Sequence, residues 1–189
     1  EDWDLSEPVM PRWKTSNLVP DQIFRSVSTR TELSKQPRVR DLYELERVEA
    51  LPSKICANME GLFARRQLRA GELCSWYNGL RCTHEEVDNR DWSLNQNTIT
   101  LDAETVLDVP AEWASSSTFC ASLGHKANHV KPNNAKYDVF DHPRFGLIKA
   151  IRTLRDIAAG EEIFCDYGYE GDPNELPAWF VEVQRHTGA

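Results

Sequence analysis

The chain has 189 residues, 40% hydrophobic and 28% charged, which fits one globular domain or one domain with a short N-terminal extension. Its formal net charge of -8, from 30 acids against 22 bases, argues against a direct nucleic-acid binder, which needs a basic excess to displace counterions from phosphate. The same balance favours a basic partner such as a Lys/Arg-rich peptide, and no apolar run approaches the ~18 residues of a membrane span.

The N-terminus lacks the basic-then-apolar layout of a secretory signal, and it starts at Glu1 without an initiator Met, as expected of a fragment of a longer protein. Cys56, Cys74, Cys82, Cys120 and Cys165 form no C-x2-C pair, so neither a zinc site nor a disulfide frame is expected, and no metal is predicted. An odd number of scattered thiols fits a reducing compartment, cytosol or nucleus. Most are expected to be buried as small hydrophobes.

In chain order, residues 1–46 read as an irregular, strand-poor lead-in, because Pro8, Pro11, Pro20 and Pro37 interrupt any long element. From residue 47 to 170 the pattern is one of short strands with frequent turn signals, a domain of its own. Leu62-Phe63 and Glu72–Tyr77 read as strands. Asn78-Gly79 reads as a two-residue hairpin turn, since both positions accept positive φ. Thr83 with Glu86 fits a capping box, predicting a helix over 84–91. Asn97–Leu101 and Thr105–Val109 alternate like paired strands. Lys136–His142 and Leu147–Leu154 flank Pro143-Arg144-Phe145-Gly146 as a second hairpin, and Glu162–Asp166 is a further strand. In residues 171–189, Leu176, Trp179, Phe180 and Val183 recur at helical spacing, predicting a short closing helix. The fold class is mostly β with a few short helices.

Three stretches carry chemistry: Glu60-Gly61-Leu62-Phe63 after Asn58-Met59, Gly124-His125-Lys126-Ala127-Asn128-His129, and Tyr167-Gly168-Tyr169 about forty residues later. Each alone has an ordinary explanation, as a turn entering a strand, a satisfied loop or strand-end packing. Their order and spacing together resemble the SET domain of protein-lysine methyltransferases. Ser75–Gly79, His84–Trp92, Leu94–Thr98, Thr105–Pro110, Cys120–His129 and His142–Leu154 extend the likeness to the subfamily that carries MORN repeats before its SET domain.

The resemblance implies a SET-domain (β-clip) fold with a knot-like C-terminal crossing. It implies transfer of a methyl group from S-adenosyl-L-methionine to a lysine, monomethylating histone H3 at lysine 4 and acting on non-histone proteins as well. Tyr77, Tyr137, Tyr167 and Tyr169 are then the catalytic, channel-lining residues, with Tyr167 nearest the transfer and Tyr137 restricting the product to one methyl. Asn58, Met59, Glu60, Asn128, His129 and Trp179 are the cofactor-binding residues. Tyr77, Asp88, Asn97, Thr98, Lys149 and Tyr167 meet the substrate. The implied partner is a histone H3 tail or another Lys/Arg-rich protein, the enzyme a monomer, and its compartment the nucleus, with the cytoplasm second.

The chain departs from the subfamily at Met59, where Gly is usual. A positive φ at Met59 is strained by about 1–2 kcal/mol, and Asn58 is the alternative carrier of the turn. Pro132 also comes one residue early after His129, and the link from Tyr169 to Trp179 is short. Three other functions compete. A catalytically inactive SET scaffold is disfavoured by retention of the four tyrosines. A Rossmann-type methyltransferase lacks its glycine-rich turn. A plain β-rich interaction domain leaves the motif order unexplained.

Overall fold

The computed structural model describes residues 25–55 and 58–168. The predicted C-terminal helix, Tyr169, Trp179 and Cys56 lie outside the described residues. In chain order come α1 (Leu42–Leu45), β1 (Val48–Pro52), β2 (Glu60–Ala64), β3 (Leu73–Tyr77), β4 (Leu80–Cys82) and α2 (His84–Asp88). They are followed by β5 (Thr98–Thr100), β6 (Val106–Asp108), β7 (Asn128–His129), β8 (Ala135–His142), β9 (Gly146–Thr153) and β10 (Glu162–Cys165). The larger sheet runs β1-β2-β10-β8-β9-β3 with β7 alongside β10, and the smaller runs β4-β6-β5. Among the described residues the fold is therefore mostly β with two short α-helices, the class the sequence predicts.

Several elements form for local reasons. Thr83 Oγ1 accepts from the Glu86 N–H at 3.2 Å while Glu86 Oε2 accepts from the Thr83 N–H at 2.7 Å, which satisfies two orphan donors and starts α2. The helix ends at Asp88 rather than at 91, and a single 3-10 turn covers Trp92–Asn95. The β8–β9 hairpin closes through Gly146 at φ 69, with His142 Nδ1 accepting from the Arg144 and Phe145 N–H groups at 3.1 and 3.3 Å. It pairs in register from Ala135↔Thr153 to His142↔Gly146.

The Asn78-Gly79 hairpin does not exist. Neither residue has positive φ, and the strands on either side join different sheets, β3 with β9 and β4 with β6. Asn78 is fully buried and acts as a junction: its Oδ1 accepts from Ser28, its Nδ2 donates to the Leu33 carbonyl, and its N–H donates to Ser122 Oγ. Gly79 is required because a Cβ there would lie 2.6 Å from the Asp108 nitrogen. The dipeptide crosses between sheets where two backbones nearly touch.

Two apolar clusters flank the large sheet. One gathers Trp76, Phe119, Phe145 and Ile148, and the other Leu62, Leu68, Ile151, Ile157 and Ile163. Burying each such side chain contributes roughly 1.5–3 kcal/mol. Of the four described cysteines, Cys74 and Cys165 are buried as expected, whereas Cys82 and Cys120 are only partly covered. Among the described residues no helix is long and apolar enough to cross a membrane.

Candidate functional site

A pocket of about 350 Å3 opens between the two sheets. Its lining includes Tyr77 at the end of β3, Tyr137 in β8 and Tyr167 just past β10, so three distant segments each supply one tyrosine. Asp88, Asn97, Thr98 and Lys149, all expected to meet a substrate, line the same pocket. Lys149 stands directly across the ladder from Tyr77. Residues that sequence reasoning missed also contribute: His125, Trp92 and Ile99 complete the wall. His125 stands in the Gly124–His129 stretch but without a role of its own, and Trp92 and Ile99 reach the pocket only through pairing or loop packing set elsewhere.

The tyrosine rings meet at angles that leave space between them. Tyr77 lies edge-on to Tyr137 with centroids 6.1 Å apart, and Tyr77 is likewise edge-on to His125 at 6.2 Å. Burial, with neighbouring Cys165, Tyr167 and Tyr77, holds the Tyr137 hydroxyl well above the usual tyrosine range, so it stays protonated. Tyr167 donates from its hydroxyl to the Ala127 carbonyl at 2.9 Å and from its N–H to His129 Nδ1 at 3.1 Å. That nitrogen must therefore be unprotonated, and burial, partly offset by Asp166, keeps His129 below its usual range. Burial next to Lys126 pushes His125 down to about 3, so the ring is neutral at pH 7.

Behind the tyrosines, β10 runs parallel to β7, with Phe164 beside Asn128 and Cys165 beside His129. Asn134 extends that edge with its side chain, accepting from the Phe164 N–H at 2.8 Å and donating to the Glu162 carbonyl at 2.9 Å. Asn128 Nδ2 donates to Ser53 Oγ and Glu162 Oε1, each at 3.1 Å, and lies 3.4 Å from the Glu60 carbonyl. Asn128 thus ties β7 to the segment before β2. Gly61 fits this arrangement because a side chain there would overlap the Glu162 carboxylate.

The Glu60 side chain turns to Lys126 at 2.8 Å and to Ser116. Burial opposes its charge, but the Lys126 and Ser116 donors prevail and hold the carboxyl down at about 2. Asn58 carries positive φ, 63°, and Met59 does not, so the turn is taken one residue earlier than a glycine at position 59 would take it. Asn tolerates that conformation better than Met. Pro132 follows a cis peptide bond from Lys131.

Residues 60–168 match the SET domain family. The chain is also 44% identical over 172 residues to a histone-lysine N-methyltransferase SETD7 from Halocynthia roretzi, across 87% of this chain and 45% of that protein. It therefore spans about half the length of that relative. A pocket walled by tyrosines from three segments, an Asn-His pair held beside the last strand, and both of these matches lead to one assignment: the chain belongs to the SET-domain family.

Proposed function

We propose that this chain is a protein-lysine N-methyltransferase that uses S-adenosyl-L-methionine to monomethylate lysine 4 of histone H3, and lysines of non-histone proteins as well. The observation that carries this reading is the convergence of Tyr77, Tyr137 and Tyr167 on one pocket, with Tyr167 tied to Ala127 and His129. The relative's printed name, a histone-lysine N-methyltransferase, supports the same class.

The residues present fit the cofactor. The positive-φ turn at Asn58 brings Met59 and Glu60 beside Asn128, so backbone groups of 58–60 and 128–129 are the ones to hold it, with Trp179, outside the described residues, as the expected adenine platform. When bound, it supplies a methyl carbon activated by a positively charged sulfur. The protein must present an uncharged lysine nitrogen in line with that carbon, although free lysine has a pKa of about 10.4. A tyrosine-walled pocket strips water from the amine and so favours its neutral form. Tyr167 spends its only hydroxyl hydrogen on Ala127, so its oxygen meets an approaching amine as an acceptor. Aromatic faces of Tyr77 and Tyr137 sheathe the aliphatic stem, and holding the nitrogen aligned lowers the barrier further.

Asp88, Asn97, Thr98 and Lys149 are the groups that read the flanking peptide, with Asp88 suited to a basic residue near the target. Such a substrate implies action in the nucleus. The deciding experiment mixes the chain with S-adenosylmethionine and an H3 tail peptide and weighs the peptide. A gain of one methyl is expected, and an unmodified peptide, with calorimetry showing no cofactor binding, overturns the reading in favour of an inactive scaffold.

A further inference from the structure

We propose that Glu44, in α1 and outside the matched 60–168 segment, is a positioning residue that locks the strand bearing Tyr77 to the loop that leads from Leu123 to Asn128. This rests on the methyltransferase reading and assigns to the flanking helix a part in the reaction. Glu44 is 1% exposed. Its Oε1 accepts three bonds, from Ser75 Oγ at 2.6 Å, the Trp76 N–H at 2.9 Å and the Leu123 N–H at 2.9 Å. Ser75 and Trp76 precede Tyr77 on β3, and Leu123 opens the loop that runs through His125 to Asn128. One oxygen therefore gathers two backbone segments that supply opposite parts of the site.

The contact it secures is close. A Cβ on Gly124 would lie 2.7 Å from the Trp76 carbonyl oxygen and 2.8 Å from Tyr77 Cβ, so loop and strand already touch there. On the other side of Tyr77, Ser122 Oγ accepts from the Asn78 N–H at 3.2 Å. Tyr77 is bracketed by these two ties, and losing Glu44 removes one of them. Asn128, by contrast, keeps its bonds to Ser53 and Glu162, and those do not involve Glu44. Misplacing a reacting wall by ~1 Å costs on the order of a hundredfold in rate. The defect thus belongs in turnover rather than in cofactor affinity.

The test compares Glu44→Ala, Glu44→Asp and Glu44→Gln in the full chain, at a temperature where circular dichroism shows each folded. Glutamine keeps an acceptor oxygen at the same reach, whereas aspartate is one methylene too short for all three donors. Glu44→Asp and Glu44→Ala are expected to lower kcat tenfold or more while the KM for S-adenosylmethionine moves less than threefold, and Glu44→Gln to stay within twofold of wild type. A folded Ala or Asp variant with wild-type kcat, or a Gln variant as impaired as Ala, overturns the proposal. So does failure of both Ala and Asp to fold, which makes the residue purely structural. A wild-type chain that transfers no methyl sinks the methyltransferase reading itself, whereas an active wild type with an unaffected Asp variant sinks this inference alone.

Discussion

Tyr137 faces the pocket from β8 with its ring edge-on to Tyr77, centroids 6.1 Å apart, and its hydroxyl protonated throughout the working pH range. Under the proposed monomethylation, the hydroxyl in that position would hold a water in the volume that a second methyl must enter, and a water occupies about 30 Å3. Tyr137→Phe removes the anchor without changing the ring. The expected outcome is that dimethyl product rises from a trace to a major fraction in mass spectra of the peptide, while the first methylation slows by less than about tenfold. An unchanged product ratio defeats this assignment of product control. Lys126 makes a contrasting point about residues: nothing in the sequence marks it for burial, yet it is 8% exposed and pairs with the partly covered Glu60 at 2.8 Å.

Elements differ in how much of them the sequence discloses, and the difference follows the range of the forces involved. The cap of α2 and the β8–β9 hairpin were legible because Thr83, Glu86, His142 and Gly146 act on neighbours two to four residues away. Asn78-Gly79 misled because its conformation is fixed by Asp108, Ser28, Leu33 and Ser122, none of them local. The site was visible only as a resemblance: no spacing rule brings Tyr77, Tyr137 and Tyr167 together, since the β3–β9, β8–β9 and β10–β8 pairings do that. Glu44 was silent for the same reason, its partners lying 31 to 79 residues along the chain. Gly79→Ala tests the crossover directly. A Cβ 2.6 Å from a backbone nitrogen has no flexible side chain to displace, so β4 and β6 must shift apart. Overpacking of this kind costs about 1–3 kcal/mol, read as a lower urea midpoint at unchanged slope. A wild-type midpoint would show that the Gly79 and Asp108 backbones are not pressed together there.

At the scale of the whole molecule, burying Glu44 makes stability depend on pH in a direction opposite to that of most carboxylates. Burial raises its pKa from 4.5 to about 8 against the pull of the Ser75, Trp76 and Leu123 donors, and Asp41 nearby adds to the rise. Below about pH 4.5 the group is neutral in both folded and unfolded chains, and its contribution is fully present. Between about 4.5 and 8 the unfolded chain releases the proton and the folded chain keeps it, so stability falls as pH rises; above about 8 both are charged and the loss levels off. The full span is worth at most roughly 4–5 kcal/mol at 1.36 kcal/mol per unit. Glu44→Gln cannot titrate, so the stability of this variant minus that of the wild type should climb from pH 5 to pH 8 and then flatten. Urea unfolding at several pH values measures that difference, and His125, His129 and the other titrating groups cancel because both proteins share them. Glu60 acts with the opposite sign, its carboxyl held at about 2, so its contribution is fully present above about pH 4.5 and is lost as pH falls from there toward about 2, outside the window where Glu44 titrates. A difference curve that stays flat from pH 5 to pH 8 means that Glu44 is already ionised in the folded protein, and that its three donors hold a carboxylate rather than a neutral acid.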